Sequence, residues 1–405
     1  MHPLDNNLII FKGRNGISLR NIARLILACF CVVSIAGCSP DVNEISDIAL
    51  VTATAIDYNA ETKKFSFSAF CVMPSNTSQE KTSTLTQWVS SATGTTPLDA
   101  ARKMRSRVGK NLIFQHNKFF IISESAARHA LYEVVDYLSR KREFRLTAYP
   151  IIAPGQASDK LKLGTESGDM LPNDLLGQVR NNKLSGQEVA LTIKDFVDLF
   201  ENPNRGFVSG RIMIKSSETS KKKSLIMTGG AVIYKQKFAG WVEGNDVLTF
   251  NTLSKRKVWK DIEFNDVIHS KNGSEFSALF HEKDLEIHGD VQNGSPKMSV
   301  YLKYTASLED VNEDSDIGDS SVILQMEQAA SRHLEKKINK SLAFFQKKLK
   351  IDVLGFSDYY SQYHSKAWRT MQKDWETLYP MIPIQVHVTV LFEKSGMTTS
   401  IQEES

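Results

Sequence analysis

The sequence is poor in cysteine, with four in 405 residues. Cys29 and Cys31 lie in an apolar segment near the N-terminus that has the properties of a removable secretory signal. If Cys38 is acylated, only Cys71 remains as a free thiol, which excludes a disulfide framework and a cysteine-based metal site. Cys71 lies in an apolar, strand-like segment, which indicates a buried small hydrophobic residue rather than a reactive thiol.

The sequence also lacks an excess of charge, and its N-terminal apolar run is short. This run, Leu25–Ile35, has eleven residues, whereas a membrane-spanning helix needs about 20. The formal net charge is +4, and removing residues 1–37, with four basic residues and one acidic residue, lowers it by three to +1. A chain this close to neutrality gives no electrostatic case for binding nucleic acid.

Sequence motifs of catalysis and of metal or phosphate binding are absent. There is no G-x-S-x-G nucleophile elbow, no glycine-rich phosphate loop and no H-E-x-x-H zinc motif. His281 and His288 are seven residues apart in predicted strands, which places them on opposite faces of a regular strand and argues against a shared metal. Carboxylates are plentiful, but one sequence cannot show that any two of them converge. We therefore predict no catalytic, cofactor-binding or metal site.

Two glycines and two tryptophans allow both a structural and a ligand-binding interpretation. Gly229 and Gly230 lie within a predicted strand, where a bulge or a close backbone approach is favoured over a ligand loop. Trp368 and Trp375 are seven residues apart in a predicted helix and share one face with Met371. We expect this stripe to fill a core against the apolar face of the last strand. Stacking of the indoles on a ligand is the alternative.

The N-terminus does contain a lipoprotein signal. Residues 1–24 carry four basic residues against one acid, and the apolar run follows. The run ends in Ile35-Ala36-Gly37-Cys38, which resembles the bacterial lipobox, in which the cysteine thiol takes a diacylglyceryl group and a peptidase cuts just before it. We predict that residues 1–37 are removed as a signal peptide and that Cys38 is lipidated. An ordinary signal peptide, or an uncleaved anchor, with a coincidental cysteine is the alternative.

Residues 38–205 have the pattern of an α/β domain. Segments 48–56 and 65–73 predict a β-hairpin, and the Ser- and Thr-rich stretch 74–96 is typical of a loop. Thr96 is predicted to cap the helix that follows. Further along, a strand at 118–123, a helix at 125–138 and a strand at 145–153 predict a βαβ unit with parallel pairing. Additional helices are predicted at 157–163 and 192–200, the second with Thr192 as its N-cap, and residues 164–190 are weakly patterned.

One proline constrains the predicted sheet. Pro150 lies in the second strand of the βαβ unit and cannot donate a hydrogen bond to a neighbouring strand. Its strand is therefore expected near an edge of the sheet.

The rest of the chain divides into two further regions. Residues 206–275 are rich in predicted strands, and residues 276–397 predict an α+β domain. The α+β domain contains an amphipathic helix from Ser321 to about Lys350, in which apolar residues repeat every three or four positions. In the last strand, 384–392, apolar residues alternate with polar ones, as in a strand that is buried on one face.

Four groups of residues, spread in order over nearly the whole chain after the signal, carry a family resemblance. The first group is Gly37-Cys38 with residues 43–51 and 55–57, and the second is residues 109–116, 118–123 and 145–149. The third is Gly229-Gly230-Ala231-Val232 with Gly240-Trp241, and the fourth is Asp352-Val353-Leu354-Gly355-Phe356 with Trp368, Trp375 and the last strand. Together they resemble the Ger(x)C spore-germination lipoproteins, the C subunits of nutrient germinant receptors. One departure is Ser39-Pro40 after the lipid cysteine, where the family often has tryptophan.

The resemblance implies a multi-domain α+β protein of mixed β-sheets flanked by α-helices, with no enzymatic activity and no cofactor. It implies assembly with two integral-membrane receptor subunits, of A and B type, and lipid anchoring on the extracytoplasmic face of the spore inner membrane. Small nutrients would trigger germination there, and no nutrient-binding residue follows from the resemblance. Two other classes stay open. One is an extracytoplasmic ligand-binding lipoprotein of a transporter, which would need two lobes and a hinged cleft, and the other is a lipid-anchored hydrolase.

Overall fold

In the computed structural model the described residues are 47–73, 86–167, 171–181, 185–216, 223–254, 262–269, 275–311 and 319–393. Within these ranges the chain forms two mixed β-sheets, one of nine strands and one of four, and α-helices pack against both. The fold class is therefore α+β, as predicted.

The first sheet is built from strands of the N-terminal and middle regions. In chain order the strands are β1 (Ile48–Asn59), β2 (Lys64–Met73), β3 (Thr86–Gly94), β4 (Asn111–Ile113), β5 (Phe119–Ser123), β6 (Tyr149–Ala153), β7 (Phe207–Ser216), β8 (Lys223–Tyr234) and β9 (Lys237–Val242). Their order across the sheet is β3-β2-β1-β5-β6-β7-β8-β9, and β4 pairs with the start of β1. The predicted hairpin is the antiparallel pair β1–β2, and β5 and β6 are parallel, as a βαβ unit requires.

Helices cover both faces of this sheet. They are α1 (Pro97–Arg105), α2 (Glu124–His129), α3 (Leu131–Arg140), α4 (Ser158–Ser167), α5 (Leu171–Asn181) and α6 (Ile193–Phe200). On one face, α1, α3 and α6 bury Met104, Val134 and Phe196 in the larger apolar cluster. On the other face, α4 and α5 bury Leu161 and Leu175 in a second cluster. The predicted N-caps are confirmed, because the hydroxyls of Thr96 and Thr192 accept hydrogen bonds from backbone N–H groups three residues later.

One prediction for this region is wrong, and one helix has no clear sequence signal. Residues 86–94, predicted as loop, form the outer strand β3, which pairs with β2. Most of β3 is only partly buried, so its many Ser and Thr residues face solvent and mask the strand pattern. The weakly patterned stretch contains α5, whose sequence includes Pro172 and Gly177, two residues that weaken a helix signal.

Pro150 lies in the interior of the sheet rather than near an edge. β6 is flanked by β5 and β7, but β7 pairs with it only at Ile151 and Ile152. The backbone N of Tyr149 donates to Lys118 O on the β5 side, so the nitrogen of the next residue is directed toward β7. The ladder has no pair there, and the missing donor of Pro150 costs little. The Ser209 hydroxyl instead donates to the Pro150 carbonyl at 3.3 Å.

The second sheet and its helices follow in the C-terminal region. The strands are β10 (Glu263–His269), β11 (Glu275–Gln292), β12 (Ser295–Val311) and β13 (Ile384–Phe392), in that order across the sheet. The helices are α7 (Asn245–Leu253), α8 (Ser320–Ala343), α9 (Phe356–Tyr363), α10 (Ser365–Met371) and α11 (Trp375–Leu378). α7 is a helix within the region predicted to be rich in strands. The predicted long helix is α8 followed by a π-helical turn, Phe344–Leu349.

The last strand is buried on one face, as its alternation predicts. Val386, Val388 and Val390 are buried and the residues between them are exposed. α8 packs over β13, and two of its side chains accept hydrogen bonds from the strand. Val390 N donates to Ser331 Oγ at 3.0 Å, and Phe392 N donates to Glu327 Oε1 at 2.9 Å.

One apolar cluster extends from the first sheet into the second. It contains Phe207 and Ile233 of the first sheet together with Phe280 and Val388 of the second. The strands of the middle region, β7 to β9, are hydrogen-bonded to β6 and to each other. The domain limits 38–205, 206–275 and 276–397 stay a prediction.

Candidate functional site

The predicted lipidation site, Cys38, lies outside the described residues, and the signal segment before it does too. The first described residue is Asp47, immediately before β1. Among the described helices, none is long and apolar enough to cross a membrane. Lipidation of Cys38 therefore stays a prediction.

Asp352, from the fourth group of the resemblance, is a buried hydrogen-bond acceptor at the start of α9. Its carboxylate accepts from the backbone N of Gly355, Phe356 and Ser357 at 2.9, 3.0 and 2.7 Å. Trp375 Nε1 also donates to it, at 3.2 Å. Burial raises the pKa of Asp352, and the N–H donors and the nearby Arg205 oppose that rise. The Asp352 carboxylate thus links the start of α9 to the start of α11.

Asp352 and the start of α9 are also joined to the first sheet. Gly206 N, just before β7, donates to the Asp352 carbonyl at 3.0 Å. Arg205 is buried and forms an ion pair of 2.5 Å with Asp358 on α9. Gly355 has a φ of +81°, and a Cβ there would lie 2.6 Å from the Arg205 guanidinium. Glycine is therefore favoured at this position both by its backbone conformation and by the close approach of the Arg205 guanidinium.

The two tryptophans are core residues, but their partners differ from those predicted. Trp368 and Trp375 are buried and their ring centroids lie 5.1 Å apart. Trp375 also contacts Tyr360 and Tyr379. The apolar face of β13 is covered by α8. The predicted single helix is broken by a 3-10 turn, Gln372–Asp374, between α10 and α11.

Asp57, from the first group, has a similar structural role in the first sheet. It is buried at the end of β1, and its two carboxylate oxygens accept from Ala157 N at 2.6 Å and Ser158 N at 3.0 Å. Burial raises its pKa, and these hydrogen bonds oppose the rise. Asp57 thereby caps α4 from the neighbouring strand, one hundred residues away in sequence.

Gly229 and Gly230, from the third group, lie where neighbouring segments approach the backbone closely, as the sequence predicts. Gly229 has a φ of +70°, and a Cβ on it would meet Val242 O at 2.6 Å and Arg211 Nη2 at 2.7 Å. The Arg211 guanidinium donates to Thr228 O and to Glu243, and it lies over the ring of Trp241 at 5.5 Å. These residues hold the β7–β8–β9 segment together.

The two strand histidines lie on the same face of β11, contrary to the prediction. A β-bulge at Lys283 shifts the register between Glu282 and Asp284. After the bulge, the side chains that face the core are therefore displaced by one position in the alternation. His281 and His288 both point away from the α8 side, each beside a glutamate. Within the described residues, no three His, Cys, Asp or Glu side chains come together as metal ligands.

A charged cluster that no sequence motif indicates joins α8 to the second sheet. Asp266 on β10 accepts from His333 Nε2 at 3.1 Å and from the Lys337 ammonium. Burial alone would raise the pKa of Asp266, but hydrogen bonds from His333 and Lys337 hold it below its ordinary value. His333 and Lys337 are four residues apart on a helix, which is the one sequence signal that they share a face.

One cleft of about 550 Å³ opens at the end of the first sheet where β1 ends and β2 begins. Its lining includes four aromatic rings and several charged side chains. The residues that line it include Tyr58, Phe65, Leu98, Tyr132, Tyr137, Glu133 and Lys141. The volume and the mixed lining suit a small molecule with an apolar body and a charged end.

The sequence matches two family models that together span most of the chain. Residues 41–212 match the model described as "Spore germination protein N-terminal domain". Residues 228–396 match the model described as "Spore germination B3/ GerAC like, C-terminal".

Curated proteins and a solved structure agree with these matches. Spore germination protein KC of Bacillus subtilis (strain 168) is 23% identical over 94% of this chain and 97% of its own length. Putative spore germination protein YfkR of the same strain is 22% identical over 93% of this chain and 98% of its own length. The crystal structure of the GerBC protein superposes with a TM-score of 0.54 at 14% identity, covering 84% of this chain and 96% of that one, which shows a shared fold.

Proposed function

The chain belongs to the Ger(x)C family of spore germination proteins, and we propose that it is the lipid-anchored, non-enzymatic C subunit of a nutrient germinant receptor. Cys38 would carry the lipid on the extracytoplasmic face of the spore inner membrane. Two integral-membrane subunits would be its partners there.

The observation that carries this proposal is the role of the residues that mark the family. Asp57, Gly229 and Asp352 each hold separate elements together through backbone contacts. Both carboxylates face N–H donors rather than open space, so they are engaged in structure. These buried contacts support a structural role for the positions that carry the resemblance, and the family match supports the assignment as a receptor subunit.

The alternative of a transporter's ligand-binding lipoprotein fits the fold less well. Such a protein needs two lobes that close about a hinge. Here one apolar cluster runs from the first sheet into the second, and Arg205 and Asp352 tie β7 to α9. A boundary with so many buried contacts opposes hinge motion.

The test combines genetics with purification of the membrane complex. Deleting the gene should abolish germination in response to nutrients, and the wild-type gene should restore it. The tagged protein, extracted with mild detergent, should retain two multi-span membrane subunits. Normal germination of the deletion strain, or retention of an ATPase with two permeases, would overturn the proposal.

A further inference from the structure

The cleft of about 550 Å³ at the end of the first sheet has three walls. One is the end of the β1–β2 hairpin, where Tyr58 pairs with Phe65 and their ring centroids lie 4.8 Å apart. The second is the start of α1 at Pro97 and Leu98, and the third is one side of α3. Small-molecule sites commonly have volumes of about 300–1,000 Å³ and walls rich in aromatic and apolar side chains. The cleft has the size and the lining of such a site.

Local hydrogen bonds hold two of these walls in place. In the turn of the hairpin, Asn59 Oδ1 accepts from the backbone N of Glu61 and of Thr62 at 3.0 and 2.8 Å. At the start of α1, Asp99 N donates to Thr96 Oγ1 at 3.1 Å. Because these walls are already ordered, little conformational entropy is lost when a ligand binds between them.

α3 contributes two rows of side chains to the cleft, since residues four positions apart lie on one side of a helix. In one row, Asp136 and Arg140 form an ion pair of 2.6 Å and balance each other's charge. In the other row, the Lys141 ammonium lies 6.0 Å from the centre of the Tyr137 ring. Burial raises the pKa of Tyr137, so its hydroxyl is neutral near pH 7 and does not repel an anion.

The charges that remain after this pairing favour an anionic ligand. Lys63, in the hairpin turn, and Lys141 both line the cleft, and neither forms an ion pair within the described part of the chain. Among the acids of the lining, Glu133 is the one that the described residues leave without an ion pair. Elsewhere in the turn, Glu61 and Lys64 have opposite charges. Two unpaired cations therefore face one unpaired anion.

We propose that this cleft binds a small molecule that consists of an apolar body of about the size of one ring and a carboxylate. The carboxylate faces the ammonium groups of Lys63 and Lys141, and the body lies among the four aromatic rings of the lining. Tyr132, one of these rings, is 55% exposed, so its surface is available to a ligand. Binding here requires neither a lipid on Cys38 nor a partner subunit.

Three probes distinguish this chemistry from its alternatives. The first, 3-phenylpropionate, has a ring and a carboxylate, whereas 2-phenylethylamine carries an ammonium group instead and acetate has no ring. Ligand-observed NMR titration of the purified mature protein measures their affinities. We expect 3-phenylpropionate to bind with a Kd of about 1 mM or tighter. The amine should bind about fivefold more weakly or worse because it meets unpaired cations, and acetate about tenfold more weakly or worse because it has no ring to bury.

Substitution of an exposed ring tests the location. Tyr132→Ala should weaken binding of 3-phenylpropionate about fivefold, because it removes an aromatic contact. Since the ring is largely exposed, urea unfolding of this variant should match that of the wild type. Tyr363→Ala is the matched control, at a tyrosine that is 57% exposed on α9 and does not line the cleft. It should leave the affinity unchanged.

A matched pair of charge substitutions tests the carboxylate contact. Lys63→Gln with Lys141→Gln should weaken binding of 3-phenylpropionate about fivefold. Lys366→Gln with Lys373→Gln, at two exposed positions outside the cleft, makes the same change in net charge and should have no effect. Three results would overturn the proposal: no saturable binding of 3-phenylpropionate up to about 10 mM, equal affinity for the amine, or full affinity in both cleft variants.

Discussion

Trp375 donates its indole N–H to the carboxylate of Asp352 at 3.2 Å, inside a core where both residues are almost fully buried. The two residues are 23 positions apart, one before α9 and the other at the start of α11. This hydrogen bond and the ring contacts of Trp375 make the indole a structural part of the C-terminal region.

Trp375→Ala is expected to destabilise the protein by about 3–5 kcal/mol, because it empties a large buried volume and leaves Asp352 with one donor fewer. Trp375→Phe keeps an aromatic ring and removes the N–H, so we expect a smaller loss of about 1–3 kcal/mol. Urea unfolding of the mature protein measures both changes, and Tyr132→Ala, at an exposed position, is the control. A Trp375→Ala protein with wild-type stability that fails in germination would instead indicate a ligand or partner contact.

Alanine substitutions at Gly355 and Gly294 distinguish the cost of backbone strain from the cost of a steric clash. Their φ angles are +81° and +79°, but a Cβ on Gly294 has no heavy atom within 4 Å, whereas one on Gly355 meets buried Arg205. Gly294→Ala should cost about 1–2 kcal/mol from the left-handed conformation alone. Gly355→Ala should cost a further 1–3 kcal/mol, as overpacking does. Equal losses in unfolding free energy would show that Arg205 moves aside freely.

The cluster of Asp266, His333 and Lys337 predicts a dependence of stability on pH. Because the folded pKa of Asp266 is lowered, its contribution is present above the unfolded value, near 3.9, and is lost as pH falls through the folded value. Asp266→Asn should cost about 1–3 kcal/mol at pH 7. The difference from wild type should shrink below about pH 4. A difference that is constant from pH 7 to pH 3 would mean that Asp266 is not stabilised as the anion.

Cys71 should be inert in the folded protein. Its side chain is fully buried, and burial raises its pKa to about 12, so almost no thiolate forms near neutral pH. With Cys38 acylated, a thiol reagent at pH 8 should find no reactive group in the native protein and one after denaturation in guanidinium. Rapid native reaction of one thiol would contradict the burial of Cys71, provided fatty-acid labelling shows that Cys38 is blocked.

Cys38→Ala should abolish incorporation of labelled fatty acid and leave the precursor uncleaved before residue 38. Two or more acyl chains hold a protein stably on a membrane because each buried methylene contributes about 0.8 kcal/mol. Cys71→Ala is the matched control and should be acylated normally. Fatty-acid labelling of the Cys38→Ala protein would disprove this attachment point.

Local signals in the sequence predicted much of the fold. Thr96 and Thr192 mark helix starts because a side-chain oxygen and the N–H groups it satisfies are only three residues apart. The alternation in β13 and the βαβ spacing are equally local. The prediction that Cys71 is buried rests on the same kind of pattern and is confirmed.

The errors arise where distant residues decide the structure. The bulge at Lys283 reverses the side of the sheet on which His288 lies. The sequence of one strand does not show at which residue its pairing with the neighbouring strand is interrupted. Pro150 is tolerated inside the sheet because β7 forms only a short ladder with β6. The acceptor role of Asp352 depends on Trp375 and on the start of α9. The sequence gives only a weak hint of it, an acid shortly before a helix.

The hydrogen bonds from Val390 and Phe392 to the side chains of Ser331 and Glu327 affect how this protein can associate. The strand at the edge of a sheet normally has unpaired outward N–H groups that can bind a strand of another chain. Here two of them are already satisfied by α8, so an incoming strand would have to displace the helix along this stretch. Extension of the second sheet into an intermolecular sheet is disfavoured at β13, and a partner that binds this side is expected to recognise side chains rather than main chain.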